Sequence, residues 1–358
     1  MTSSSRRFFL IIVIALIIGG VFYLQRGQQP GSQNTPRTSV PSVPTNFSYE
    51  LVNASGVINT QPFTLSEYVG KEIILVDFWT YSCINCQRTI PYLNAWYEKY
   101  GNKGLLMVGV HTPEFEFEKV QANVEKAVNK FGIKYPVVMD NNYATWGAYS
   151  NRYWPHKYLF DISGELVYDH IGEGSYAETE KKIQALLAER AKVLGVAMDM
   201  PKDTAVQKIP EANLSHVKSP EIYFGANRNQ YLGNGIRGKE GNQTFVVPNR
   251  ASLNTVYLGG SWNTHEEFAE NTSANARIVF KFNAQHVYMV ASSALGTHAT
   301  ILLDGTPAPT DTDDVKKGST LLKEDRLYHL ITLPAPGPHT LEIQLDQPGL
   351  RAFTFTFG

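Results

Sequence analysis

Hydrophobic positions change rhythm along this chain, and each change marks an element. Residues 8–24, FFLIIVIALIIGGVFYL, are an unbroken apolar run, at the short end of what spans a bilayer as a helix. Residues 25–46 are rich in Gln, Pro, Ser, Thr and Gly; such a segment buries too little to order itself and predicts a tether. Short continuous apolar runs then predict buried strands at 73–79, 105–110 and 136–140. Between them, 89–100 and 117–131 carry helical spacing, the latter with Val120, Val124, Ala127 and Val128 on one face. Residues 157–161 and 165–168 flank Ser163-Gly164, a hairpin signal, and an amphipathic helix at 178–193 closes the unit. Periodicity fades over 194–219. From 220 the texture becomes short strands, clearest at 278–282, 287–290, 299–303, 328–333, 340–345 and 352–357, punctuated by Asp304-Gly305 and Pro336-Gly337-Pro338. That spacing predicts a β-sandwich of the jelly-roll kind.

The expected organisation is therefore a cytoplasmic N-terminus (1–7), a transmembrane anchor (8–24), a flexible linker (25–46), an α/β domain (47–193), a linker (194–219) and an all-β domain (220–358). Arg6 and Arg7 precede the apolar run, and positive charge stays on the cytoplasmic side, so the bulk of the chain is expected outside the cell membrane as a single-pass protein. No Ala-x-Ala cleavage site follows residue 24 and no cysteine there could take a lipid, which favours an anchor over a removed signal peptide. The Arg pair also matches a twin-arginine export signal.

Composition narrows the chemistry. The 358 residues carry 32 Lys and Arg against 33 Asp and Glu, so the chain has no electrostatic footprint for nucleic acid. The only two cysteines, Cys83 and Cys86, form one Cys-x-x-Cys. Nothing is left for a structural bridge, and a closed zinc site would need a second pair of ligands. A redox couple remains, with no metal and no cofactor beyond the Cys83–Cys86 disulfide itself.

The motif follows a buried strand and opens a helix. Unpaired N–H groups and the dipole at a helix N-terminus favour negative charge, here a thiolate at Cys83. Cys86, at i+3, shares that helix face and is placed to resolve a mixed disulfide.

VDFWTYSCINC, residues 76–86, resembles the active-site segment of thioredoxin-fold proteins. The resemblance implies that Asp77 is a buried acid moving protons for Cys86, that Pro91 kinks the active-site helix, and that Trp154-Pro155 is a cis-proline facing the disulfide. The extra helix and strand within 111–140 resemble the TlpA and alkyl-hydroperoxide-reductase (redoxin) branch. YSCINCQRTIPYL, GVHTPEFEFEK, NRYWPHKYLFD and the terminal FTFTFG further resemble the extracytoplasmic half of DipZ proteins, over residues 47–358. That resemblance implies a thiol–disulfide oxidoreductase acting on disulfides of exported proteins such as apocytochrome c. DipZ proteins also carry a CcdA-like membrane domain; with one apolar run here, a separate CcdA-like membrane electron donor is the implied partner. Ile84-Asn85 differs from the Gly-Pro of thioredoxin.

Other readings stay open. Thr80 precedes Cys83 by three, as in thiol peroxidases, although Pro-x-x-x-Thr-x-x-Cys is absent and Cys86 is placed to resolve. Glu114, Glu116 and Glu118 alternate with Phe115 and Phe117, readable as a catalytic carboxylate cluster or, more commonly, as acids of a helix's first turn; Glu114 is the candidate acid near the site. In the β-domain Trp262, Tyr223 and Tyr231 are candidates for stacking on carbohydrate, against the commoner use of aromatics as core. The β-domain is then either a glycan- or partner-binding module or a scaffold.

Overall fold

The computed structural model describes residues 48–197, 209 and 217–358. The expected anchor and tether, and most of the expected linker at 194–219, lie outside the described residues. Among the described residues no helix is long and apolar enough to cross a membrane.

The first region is a six-stranded mixed sheet flanked by helices. Its strands are β1 (Gly56–Ile58), β2 (Ile73–Trp79), β3 (Leu105–His111), β4 (Val137–Met139), β5 (His156–Phe160) and β6 (Leu166–Ile171), in spatial order β1-β4-β3-β2-β5-β6. The centre β4-β3-β2 is parallel, and β1, β5 and β6 join antiparallel. The helices are α1 (Ile84–Tyr100), α2 (Gln121–Lys130), α3 (Ala144–Ala148) and α4 (Tyr176–Leu194). All seven residues of β2 are buried because helices cover both faces of the sheet. Period-2 alternation sorts them: Ile74, Val76 and Phe78 join one apolar cluster, while Ile73, Leu75 and Trp79 join another that contains Cys86, Leu93 and Trp96 of α1. Asp77 has the parity of Trp79 and is therefore delivered to the cysteine side.

The helix expected over 117–131 is divided. A 3-10 turn, Glu116–Lys119, is followed by extended Val120 and only then by α2. Val120 is 49% exposed, whereas Val124, Ala127 and Val128 are buried as expected. The break has a local cause, because Glu118 turns inward to accept backbone N–H groups of its own loop.

The second region is β-rich. Its strands are β7 (Ile222–Tyr223), β8 (Gly241–Phe245), β9 (Thr255–Thr264), β10 (Ala269–Asn271), β11 (Arg277–Ser292), β12 (Thr297–Leu303), β13 (Thr306–Pro307), β14 (Ser319–Leu322), β15 (Arg326–Leu345) and β16 (Arg351–Phe357). They pair antiparallel along β13-β12-β15-β11-β16-β10-β9-β8, with β14 beside β12 and β7 beside β16. Their inward residues, among them Trp262, Phe280, Phe282, Ile343 and Phe355, form one core.

Two pairs of expected strands prove continuous. Residues 278–282 and 287–290 belong to β11, and 328–333 and 340–345 to β15. Pro336-Gly337-Pro338 does not end the strand. The ladder passes from Ala284↔Gly337 to His286↔Thr332. Pro334 and Pro336 therefore sit in a bulge, where a missing N–H breaks no ladder bond.

Candidate active site

Strand β2 ends at Trp79, three residues cross the sheet edge, and Cys83 caps α1. Its backbone is extended (φ −78°, ψ 119°) and its Sγ accepts the Cys86 N–H at 3.3 Å, satisfying one orphan donor of the first turn. The Cys83 carbonyl accepts from Gln87 N at 3.0 Å. Cys83 is half-buried; Cys86 is 1% exposed, and burial together with the neighbouring Cys83 sulfur pushes its thiol well up. Only one sulfur of the pair is thus open to a partner. One turn on, Arg88 is held bidentately by Glu173 at 2.7 and 2.8 Å and donates to Asn85 Oδ1 at 2.7 Å. That places a guanidinium within electrostatic reach of the Cys83 sulfur. Pro91 lies inside α1, which continues to Tyr100.

Beneath the cysteines is a buried acid–base group. Burial pushes Asp77 up to about 7, with Lys157 opposing the shift. The two are directly opposite in the β2–β5 register. Lys157 is fully buried and donates to the Gly172 carbonyl at 3.0 Å; burial lowers its ammonium from the usual range while Asp77 supports it. Asp77 Oδ1 has no hydrogen-bond partner, and its charge acts on Cys86. Gly109, opposite Asp77 on β3, leaves the space that Trp79 needs: a Cβ there would stand 2.9 Å from Trp79 Nε1. His111 is buried neutral, pushed down to about 3 by desolvation, with Nε2 3.4 Å from Thr80 Oγ1.

A second acid sits beside the loop leading to Cys83. Glu118 is fully buried, which pushes its carboxyl up to about 7. Against that push, Oε1 accepts Ser82 N at 3.3 Å and Ser82 Oγ at 2.6 Å, and Oε2 accepts the amides of Glu114 at 2.5 Å and Phe115 at 3.0 Å. Four donors fill the lone pairs, so the geometry is that of a carboxylate. Glu118 thereby ties the Cys83 loop to the loop 113–118.

Trp154-Pro155 is a cis peptide, as the resemblance implies. The Trp154 indole donates to the Thr112 carbonyl at 3.0 Å, and Trp154 and Cys83 line one cavity of about 440 Å³. Half of that cavity's wall comes from the β-rich region, including Glu221, Tyr223, Arg228, Thr354 and Thr356. Glu114 lies in this wall: Arg228 binds it at 2.7 Å, and the Tyr223 hydroxyl lies 2.9 Å from both Glu114 and Glu221. Of the aromatic candidates for carbohydrate, Trp262 is fully buried and its indole donates to the Gly259 carbonyl at 3.0 Å, so it has no face to offer a sugar. Tyr223 stacks under Arg228 at 3.7 Å, and Tyr231 packs against the β core.

The structure thus brings Cys83, Cys86 and Asp77 together and puts Trp154 on the cavity with Cys83. Sequence reasoning missed Lys157 and Arg228, and kept Glu114 rather than Glu118 as the candidate acid. Glu118 reads as an ordinary first-turn acid, with the same spacing from the phenylalanines as the exposed Glu116. Lys157 stands mid-strand in HKYLF, where a lysine among apolar residues signals a buried partner.

Comparison with known proteins agrees with this geometry. Residues 45–187 match the Redoxin family model, and residues 219–358 match that of the thioredoxin like C-terminal domain. Protein DipZ of Mycobacterium tuberculosis is 38% identical over 319 residues, covering 86% of this chain and 42% of DipZ. Thiol-disulfide oxidoreductase ResA of Bacillus thuringiensis is 30% identical over 127 residues, covering 33% of this chain and 70% of ResA. Thiol-disulfide oxidoreductase YkuV of Bacillus subtilis is 29% identical over 140 residues, covering 39% of this chain and 93% of YkuV. The chain therefore spans less than half the length of DipZ.

Proposed function

Because this chain belongs to the thioredoxin-like redoxin family, we propose that it is a thiol–disulfide oxidoreductase that reduces protein disulfides through Cys83 and Cys86. The observation that carries the reading is the division of labour at the helix N-terminus: a half-exposed Cys83 over a buried Cys86, with the unpartnered Asp77 Oδ1 beneath. The Cys83 thiolate attacks one sulfur of a substrate disulfide; that S–S bond breaks and the other sulfur leaves as a thiolate, which takes a proton. Cys86, whose thiol is held protonated by burial, gives its proton to the Asp77 carboxylate and attacks Cys83 Sγ. The mixed disulfide breaks, the second substrate thiolate departs, and Cys83–Cys86 is left oxidised by two electrons. An acid raised to about 7 suits this transfer near neutral pH. Trp154, which lines the cavity with Cys83, offers the surface against which the substrate sulfur is positioned, and the cis bond to Pro155 sets its place in the chain.

The apolar run 8–24 behind Arg6-Arg7 supports a membrane anchor with the thiol site outside the cytoplasm. Substrates are then exported proteins, apocytochrome c among them, and a CcdA-like membrane carrier restores the dithiol. In Cys86→Ser expressed in the native host and quenched in acid, Cys83 should be found linked to both substrates and that carrier. If the thiol state of the wild type is unchanged when every such carrier is deleted, the supply route is wrong. An equilibrium potential near −120 mV, that of a strong oxidant, would reverse the direction proposed.

A further inference from the structure

The first of the two residues between the cysteines does not face solvent. Ile84 is 6% exposed and packs in an apolar cluster with Phe115 of its own region and with Val290, Leu327 and Phe353 of the β-rich region. Around that cluster the two regions are latched. Phe353 meets the rings of Phe115 at 5.0 Å and Phe117 at 4.8 Å. Arg228 binds Glu114, the Tyr81 hydroxyl donates to the Asp325 carbonyl at 3.1 Å, and Glu116 N donates to Glu267 Oε2 at 3.0 Å. The β-rich region therefore covers the helix N-terminus on its Ile84 side, and Cys83 is reached through the shared cavity.

Resting on the oxidoreductase reading above, we propose that the β-rich region is the specificity wall of the thiol site: it admits disulfides borne on an extended, flexible polypeptide segment and excludes disulfides held on the surface of a folded domain. Two facts argue for this occupant. A protein surface docking on another typically covers about 800 Å² per partner, and here β-region side chains stand where such a surface would have to lie. The cavity of about 440 Å³ falls within the range of clefts that enclose small ligands. Its lining mixes the amide of Asn85 and the hydroxyls of Ser82 and Thr356 with apolar Val290 and Phe357. Such a lining can pair with the main chain of an extended segment while its side chains are buried.

The test uses the reduced full chain and begins with a readout that needs no turnover. Cys86 is buried, so alkylation reports Cys83. N-ethylmaleimide should label wild type at least ~50-fold faster than a maleimide fixed to a folded carrier protein, both corrected for their rates with a free thiol. Phe353→Ala, which loosens the wall without touching the cavity lining, should bring that ratio below ~5; Glu267→Ala, which removes the latch on Glu116 N and also spares the lining, serves as the milder release should Phe353→Ala fail to fold. Exchange is then measured with one disulfide-bearing sequence presented as a flexible peptide and within a folded domain. The peptide should be favoured by ~100-fold in kcat/KM, and by at least tenfold less in the released variant. Equal labelling of wild type by small and carrier-bound maleimide overturns the wall. Exclusion of the peptide while cystine itself exchanges overturns the choice of occupant. Labelling as expected with no exchange of any disulfide leaves the wall standing and removes the oxidoreductase reading instead.

Discussion

Every Asp, Glu, His or Lys side chain that is buried among the described residues lies in the first region: Asp77, His111, Glu118 and Lys157 around the cysteines, and Asp140, His156, Asp161 and Glu180 elsewhere. In residues 217–358 the buried polar side chains are hydroxyls and amides, such as Thr264, Asn271, Ser293 and Thr354. Unpartnered buried atoms divide the same way. Asp77 Oδ1, Trp79 Nε1 and His111 Nδ1 surround the thiol site, while the β-rich region contributes only Asn229 Nδ2. Burying an ionisable group without full compensation costs stability. The first region carries that cost where protons and electrons move, and the second is built as a low-cost wall. The difference teaches that the same degree of burial can serve chemistry in one half of a chain and shape in the other.

The largest effect expected across this divide comes from Cys83→Ser, which should lower disulfide exchange by at least ~10³-fold while the melting temperature stays within a few degrees. Exchange within tenfold of wild type would remove Cys83 from the chemistry. Trp262→Ala is the converse. It should cost about 3–5 kcal/mol in denaturant unfolding through the cavity left in the β core, with exchange per folded molecule unchanged. A mutant that keeps its stability but loses affinity for an oligosaccharide would return Trp262 to the role of sugar platform. Glu118→Gln should cost about 1–3 kcal/mol, because an amide nitrogen would face donors that now meet a carboxylate oxygen. Amide exchange at Ser82 and Phe115 should rise with it; unchanged protection there would show that the loop is held by other means.

The smallest effect is a slope. The Asp77 carboxyl is raised in the folded protein from 3.8 to about 7, so the native state holds its proton more tightly than the unfolded chain does. Its contribution to stability is fully present below about pH 4 and is lost as pH rises through 7. Asp77→Asn lacks this loss. The melting temperature of the variant minus that of wild type should climb between about pH 4 and 7 and level off above, while the resolving step slows at all pH values. A flat difference would mean that Asp77 is already ionised at pH 5.

How far these features were legible depends on how far apart in sequence the partners lie. The strand–Cys-x-x-Cys–helix order is local, and alternation along β2 carries Asp77 to the cysteine face without reference to any other element. Trp154-Pro155 was legible by resemblance alone. Glu118 was not, because its partner Ser82 is 36 residues away, and a carboxylate turned inward has the same spacing as one turned out. Lys157 needed the β2–β5 register, which no local pattern fixes. In the β-rich region, prolines read as terminators because single-strand reasoning cannot see that two of them fall in a bulge. The packing of Ile84 on Phe353 joins residues from opposite ends of the described chain.

Ile84 answers to two unrelated demands. As one of the two residues between the cysteines it belongs to the dipeptide that helps set the redox balance of the pair; as a buried side chain it fills a socket in another region. A protein engineer who exchanged Ile84-Asn85 for Gly-Pro to retune the couple would also empty that socket and slacken the seam over Cys83. Potential and access are therefore not separate dials in this molecule: the sequence between the cysteines can drift only along paths that keep both, and any such exchange should be read with a labelling rate beside the potential.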